Sequence, residues 1–480
     1  MKNIRLLTFL ILLPILPGCT SAPDCKKMVG DIQRNLESGN VRRVTALADS
    51  VKKWCADNMP LYRKADSLAQ IAERIGLDFN TTEKQVIAQI EKRTGSFSKE
   101  NKDEWEKKGW LEWRLINGEK MYFKRAASNL MLLKKFYEQK DERLMEIAND
   151  PDMVFRLNHT IEAVKATDDQ SNPVVPVSME ITYTITVHPD AVPAGEMIRC
   201  WLPWPKSNHP RQGKIKLLSA SDSEYIIAPD SAIHSTIYMQ RVSKKGVPSV
   251  FRISFQYQSE AQYFNPGRIK ILPYDRTSEN YKKYTSEELP DICFTENIKR
   301  LAESLTDKHD SPDLIVKKIY YWFKDNIPWT GALEYSIMPD IPEYVYLNRR
   351  GDCGMQTFLF MSMLRYKGIP VRWQSGWMVP PGAEDMHDWC EVYYEGPGWV
   401  PVDVRYDLQH SDNVNVKEFY LSGIDSYRLI LNDGVAGQLY PEKQFLRSEP
   451  FDFQRGEVEW KGGNLYFDKW DYEMKIEYVK

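Results

Sequence analysis

Apolar positions recur at helical spacing from about residue 25 to 150 and alternate with polar ones beyond it, so the chain changes structural character partway along its length. The first stretch predicts short, highly charged helices over 26–36, 41–55, 61–75, 82–93 and 125–139. Brief turns between them suggest an α-hairpin array, which serves either as a partner-binding spacer or as a helical cover on the rest. Its spacing has no fixed period, so a solenoid is not predicted. Strands take over after Asp150, beginning with Val177-Ser178-Met179-Glu180-Ile181-Thr182-Tyr183-Thr184-Ile185-Thr186-Val187, whose apolar residues fall on one face. Residues 251–257 repeat the alternation and 197–203 fit a further strand, which together with Pro- and Gly-bearing turns indicates a β-sandwich. Asp310-Ser311-Pro312-Asp313 then opens a helix running to Phe323, with a cap, a first-turn proline and an acidic residue where the dipole favours it. A second helix opens at Gly351-Asp352-Cys353 and runs for about fourteen residues to a stop at Gly368. It is apolar nearly all round, so it belongs at the centre of its domain. The expected class is α+β and multidomain: a leader over 1–18, a helical domain over 19–150, a β-sandwich over 151–295, a core over 296–430, and strands over 431–480 packed on that core.

The start of the second helix carries the first candidate chemistry. Cys353 there would feel unpaired backbone N–H groups and the positive end of the helix dipole, both of which favour thiolate and lower a thiol pKa that is ~8.5 when unperturbed. The same N–H groups could donate to an oxyanion at a carbonyl under attack. A base follows in His387-Asp388-Trp389-Cys390-Glu391-Val392-Tyr393-Tyr394, and an acid in Trp399-Val400-Pro401-Val402-Asp403-Val404, joined by the turn-forming Glu395-Gly396-Pro397-Gly398. If these strands form a hairpin with an odd loop, His387 and Asp403 share a face, with Asp403 opposite Trp389 and diagonal to His387. The alternation turns Cys390 to the other face and makes it a poor nucleophile. Taken singly, a cysteine opening an apolar helix is more often a small core residue. The three residues in one ordered pattern shift the reading to a Cys-His-Asp triad.

That pattern resembles the transglutaminase-like core superfamily, a papain-like cysteine acyl-transfer fold. The resemblance rests on Gly351-Asp352-Cys353-Gly354, Leu364-Arg365-Tyr366-Lys367-Gly368-Ile369-Pro370-Val371-Arg372, His387-Asp388-Trp389-Cys390-Glu391-Val392 and Trp399-Val400-Pro401-Val402-Asp403, over roughly 310–406. It implies a central helix packed on an antiparallel sheet, with Cys353 as nucleophile, His387 as base and Asp403 as orienter. Two departures stand out: Asp388 where the family often has Ala, and Val404 where Pro often follows the acid. The first puts a charge beside the base. Trp329 is the upstream candidate for completing the oxyanion site, and Trp389, with Trp373 and Trp377, for lining a substrate groove; a core role is the alternative for each. The implied reaction is a thioester acyl-enzyme on peptide or protein amides, with hydrolysis favoured over cross-linking of glutamine to amines. A non-catalytic envelope binding protein using the same groove is the rival.

The N-terminus adds a compartment. Met1-Lys2-Asn3-Ile4-Arg5 is a basic lead-in, 6–15 are apolar, and Leu16-Pro17-Gly18-Cys19 resembles a bacterial lipobox, so Cys19 is the expected lipidation site and the membrane a partner through that lipid. The expected location is the bacterial cell envelope, on its periplasmic or surface face. Pro17 is unusual inside such a motif and keeps plain secretion open. Of seven cysteines, Cys25 and Cys55 could staple an N-terminal helical hairpin in an oxidising space. The seven histidines are scattered and no Cys-x-x-Cys pair occurs, so neither metal nor cofactor is expected. A composition that is 42% hydrophobic and 27% charged over 480 residues suits a globular protein of about three domains. The net charge of -3, with no basic block, argues against nucleic acid as a partner.

Overall fold

Alternation along Val174–Val187 buries Met179, Ile181, Tyr183, Ile185 and Val187 on one face. Residues at i, i+2 and i+4 of a strand share a face, so this stretch makes one wall of a core. Each such side chain contributes about 1.5–3 kcal/mol over its exposed state. Ser249–Tyr263 pairs antiparallel with it and buries Phe251, Ile253, Phe255 and Tyr257. In chain-contact order this sheet runs Gly423–Ile424, Ser249–Tyr263, Val174–Val187, Trp470–Val479, with Gln212–Ala220 also on Ser249–Tyr263. The facing sheet runs Gly463–Leu465, Glu457–Trp460, Met197–Pro203, Thr236–Val242, Ile226–Ile227. The computed structural model describes residues 24–95, 97–140 and 149–479; the expected leader over 1–18 and the lipidation site Cys19 lie outside the described residues.

The C-terminal strands depart from expectation. Trp470–Val479 pairs with Val174–Val187, and Glu457–Trp460 pairs with Met197–Pro203, so they belong to the two sandwich sheets and reach the core through the apolar cluster that Val458, Leu465 and Trp470 share with Trp377 and Val379. The irregular segment before them also reaches the core, where Gln454 and Asp452 bond to its strands. The expectation that strands follow Asp150 directly is also corrected: Pro151–Ala166 is a helix, capped by Asp150 and carrying its proline in the first turn. Between the predicted helices lies a short hairpin, Trp113–Ile116 with Glu119–Tyr122, turned by Asn117 and Gly118 at positive φ.

The third sheet, ordered Gly398–Val402, Asp385–Tyr394, Val371–Met378, Arg428–Asn432, is antiparallel throughout. The helix Cys353–Tyr366 packs on one of its faces, with every residue from Gly354 to Arg365 buried and Phe358 stacked on Trp373 at 4.4 Å. Helix Pro312–Asn326 packs on the same helix through Phe323 against Phe360. Trp377, stacked at 4.9 Å on Tyr183, makes the sandwich and this sheet share one apolar core.

The chain divides into two units, Met1–Ala72 and Glu73–Lys480, with the division inside helix Met59–Asp78. The expected helical domain over 19–150 is therefore split between them. In the first unit, Cys25–Glu37 and Val41–Trp54 bury Val29, Ile32, Val44, Ala48 and Val51 at amphipathic spacing. A disulfide joins Cys25 to Cys55, as expected for a stapled hairpin, across a sequence separation of 30. Closing a loop of that length removes unfolded-state freedom worth about 2–4 kcal/mol. Replacing Cys25 and Cys55 with Ser should therefore speed amide exchange in the two helices by roughly 30- to 1000-fold, read by hydrogen exchange mass spectrometry.

Candidate functional site

Asp352 caps the helix Cys353–Tyr366, its carboxylate accepting from the Met355 amide at 3.0 Å. The Gln356 amide bonds the Asp352 carbonyl, which leaves the amides of Cys353 and Gly354 as the first donors of the helix, with no backbone acceptor among the described residues. Cys353 is partly exposed at this end. A backbone bridge ties Trp329 to Gly351 just upstream, and Trp329 keeps 37% of its surface exposed.

On the neighbouring hairpin, Tyr394 pairs with Gly398 and Cys390 with Val402, the register of an odd loop. Continued by one residue, it sets Asp403 opposite Trp389. His387 Nε2 and Asp403 Oδ2 lie 2.7 Å apart, with His387 3% and Asp403 0% exposed. Burial alone would raise the Asp403 carboxyl, yet the charges of His387 and Arg428 hold it at about 2. Asp403 is thus ionised and can only accept, so Nε2 carries the hydrogen and Nδ1 is the basic nitrogen. Burial pulls the imidazole below its ordinary pKa, opposed by Asp403.

Arg428 stands behind the pair. Its Nη2 lies 3.0 Å from Asp403 Oδ2 and 3.0 Å from Asp425 Oδ2, and its side chain is fully buried. The guanidinium also faces the rings of Tyr406 and Trp389, which in turn pack on His387. Asp403, His387 and their aromatic neighbours therefore rest on one fixed cation.

The thiol meets a different carboxylate. Alternation turns His387 and Trp389 to one face and Asp388 and Cys390 to the other, and the helix packs on the Asp388 face. Cys353 Sγ lies 3.2 Å from Asp388 Oδ2, and among the described residues no hydrogen bond joins it to His387. The Asp388 amide, in the peptide that follows His387, also donates to the sulfur. Burial raises the Cys353 thiol well above its ordinary range, and the carboxylates of Asp388 and Asp352 raise it further. The helix terminus alone had suggested the opposite direction, and burial, with Asp388 on the facing strand and Asp352 at the helix cap, outweighs it. The charge beside the base acts on the thiol.

Residues 299–404 match the Transglutaminase-like superfamily, a span that includes Cys353, His387 and Asp403. This segment is a transglutaminase-like domain. The uncharacterized protein YebA of Bacillus subtilis is 26% identical over 148 residues, covering 26% of this chain and 20% of that protein. A crystal structure of a candidate cysteine protease from Cytophaga hutchinsonii has a TM-score of 0.43 and 12% identity, covering 64% of this chain and 92% of its own. The periplasmic domain of TgpA from Pseudomonas aeruginosa has a TM-score of 0.26 and 15% identity, covering 50% of this chain and 91% of its own.

Other expected residues of the transglutaminase-like domain are placed differently. Trp389 is fully buried, with its indole donating to Gln374 at 2.7 Å, so it supports His387 from the core and does not line a groove. Trp373 and Trp377 are likewise buried. Cys390 is buried against the Val402 carbonyl, consistent with its exclusion as nucleophile. Arg428 was not anticipated, although a lone arginine opening the apolar run Leu429-Ile430-Leu431 was a visible signal of a buried charge. Asp452 and Gln454, which bond behind Asp388, had no such signal.

Removing one member of a buried charge group costs about 3–5 kcal/mol because the remaining charges stay buried. Arg428→Met should lower the stability of the core by that amount, measured by urea unfolding of the intact chain. It should also release Asp403 from its low pKa and so raise the pH at which acid unfolds the protein. The sign follows from the carboxyl: held at about 2 against an ordinary 3.8, it stabilises above pH 4 and loses that contribution as pH falls towards 2.

Proposed function

We propose that the protein is a cysteine acyl-transfer enzyme that forms a thioester on peptide or protein amides, with Cys353 as nucleophile, His387 as acid and base, and Asp403 as orienter. The observation that carries this is the buried 2.7 Å His387–Asp403 contact beside a helix that opens at Cys353. Asp403 fixes the imidazole with Nδ1 unprotonated, the form able to take and return a proton. The amides of Cys353 and Gly354, at the nucleophile's own helix end, would donate to the oxyanion. Trp329, exposed beside Gly351, remains the side chain offered for substrate contact at that edge.

Water is the favoured acceptor, making the enzyme a peptidase or amidase, with amine transfer from glutamine as the alternative outcome. The setting we propose is the bacterial cell envelope, by lipidation of Cys19 or by secretion. The Cys25–Cys55 disulfide supports an oxidising compartment. Among the described residues no helix is long and apolar enough to cross a membrane. A groove that binds without reacting is the second reading, favoured by the bonding of Cys353 to Asp388 in place of His387.

Incubation with a glutamine-bearing peptide library, with and without a primary amine, should yield cleaved or deamidated products in water. Cys353→Ala and His387→Ala should each lower turnover on the order of 10³-fold. Full turnover in Cys353→Ala would end the acyl-enzyme reading, and absence of turnover by every preparation would leave the binding reading in its place.

A further inference from the structure

Trp329, Thr330 and Gly331 form a strap beside the end of the helix that carries Cys353. The Thr330 amide donates to the Gly351 carbonyl at 3.1 Å and the Gly351 amide to the Pro328 carbonyl at 3.3 Å, two residues before the thiol. On the other side Asn129, from helix Ala126–Glu138, accepts from the Gly331 amide at 2.9 Å and donates to the Gly331 carbonyl at 2.8 Å. Held from both sides, the strap is a fixed rim to the site. Each end of it carries an arginine. The Arg405 guanidinium lies 5.7 Å over the Trp329 ring and 5.6 Å from that of Tyr406, which packs on His387. Arg125, just before helix Ala126–Glu138, crosses Gly331 so closely that a Cβ there would lie 2.7 Å from its Cδ and 2.9 Å from its Nη1. Its charge also reaches Asp352, the cap of the Cys353 helix. Arg125 is exposed and Arg405 half-buried.

Neither guanidinium makes an ion pair among the described residues, whereas Arg350 and Arg428 nearby each meet a carboxylate at 3.0 Å. The acids around them are already engaged. Asp403 gives Oδ2 to His387 and Arg428 and Oδ1 to the Arg405 amide, and Asp352 accepts from Tyr335 and the Met355 amide. Asp407 acts on Lys324, a second cation beside Arg405, whose ammonium donates to the Val404 carbonyl. Stacking on Trp329 orders the Arg405 guanidinium while leaving its N–H edge available, and that planar fork matches a carboxylate. The carboxyls nearest the sulfur are those of Asp352 and Asp388, so a substrate's own negative charge belongs further out, at the rim. We propose that this rim binds a carboxylate a few bonds from the scissile amide, with Arg405 as the specificity residue that pairs with it and Arg125 as a supporting cation at the far end of the strap. This rests on the acyl-transfer reading above and narrows its substrates to acidic peptides. The carboxylate is either an acidic side chain beside the amide or the C-terminus of a short peptide.

Three thiol reagents of nearly one shape test this on the intact chain: the chloroacetyl derivatives of glutamine amide, which is neutral, of glutamate α-amide, with a side-chain carboxylate, and of glutamine, with a terminal one. Labelling of Cys353 at about pH 8.5 is read by mass spectrometry of its peptide, and each rate is divided by the rate on the chain unfolded in urea. All three alkylate the same thiolate, so their ratios do not depend on how far the thiol is ionised. At low salt at least one acidic reagent should label about three- to fivefold faster than the neutral one, the advantage of a partly exposed ion pair, and the faster acid identifies the source of the carboxylate. About 1 M salt should erase most of that advantage. Arg405→Gln should bring the ratio to within about 1.5-fold of unity while the neutral reagent keeps its rate within about twofold; Arg405→Lys should retain most of the preference, and Arg125→Gln should lose only part of it. A neutral reagent that labels the unaltered protein as fast as both acids overturns the proposal, and no folding defect can cause that result. So does an acid preference that survives Arg405→Gln. Labelling needs no turnover, so an acid preference without turnover of any peptide condemns the acyl-transfer reading, and turnover without an acid preference condemns only the rim.

Discussion

Arg428 is the constraint on which the arrangement depends. A fully buried guanidinium is stable only where carboxylates and rings surround it, and here Asp403 and Asp425 each approach to 3.0 Å. Asp425 sits at the entry to the last strand of the sheet, whereas Asp403 ends the hairpin at its opposite edge. The cation therefore binds the two edges of one sheet together beneath His387. It also draws in helix Pro151–Ala166: His159 accepts from the Ser426 amide at 3.1 Å, and Arg156 lies 4.3 Å over the Tyr406 ring. Such a cluster is costly to assemble and gains most from a sheet rigid enough to hold it without reorganisation. The rigidity comes from sharing a core with the sandwich, through Trp377 and Tyr183.

Features set by local chemistry were legible in the chain. The helix Cys353–Tyr366 ends one residue before its capping Lys367, with Gly368 at φ +74, where a glycine stop belongs. The strand Met197–Pro203 was legible, and alternation made a shared face for His387 and Asp403 depend on an odd hairpin loop, which the pairing of Tyr394 with Gly398 supplies. What alternation could not give is which face the helix would cover. That choice depends on Trp373 and Phe358 meeting across the sheet, and it put the thiol on the side of Asp388. Nor could it show that Glu457–Trp460 and Trp470–Val479 return to the first strands of the sandwich, since either sheet offers an edge to an amphipathic strand.

The departure at position 388 is supported from three directions. An Ala there would leave a gap above Gly354, and a carboxylate fills it only because Gly354 has no side chain. A Cβ on Gly354 would lie 2.7 Å from Asp388 Oδ2 and 2.3 Å from the Tyr335 hydroxyl, closer than real contacts allow. The Tyr335 hydroxyl donates to Asp352, so the cap of the nucleophile helix and the carboxyl beside the nucleophile share one crowded wall. Gln454 holds the far oxygen, and Asp452 behind it is held by donors from two strands, Ser375 and Asn432. A group this fully partnered has few orientations left. Its remaining oxygen faces the Cys353 sulfur at 3.2 Å.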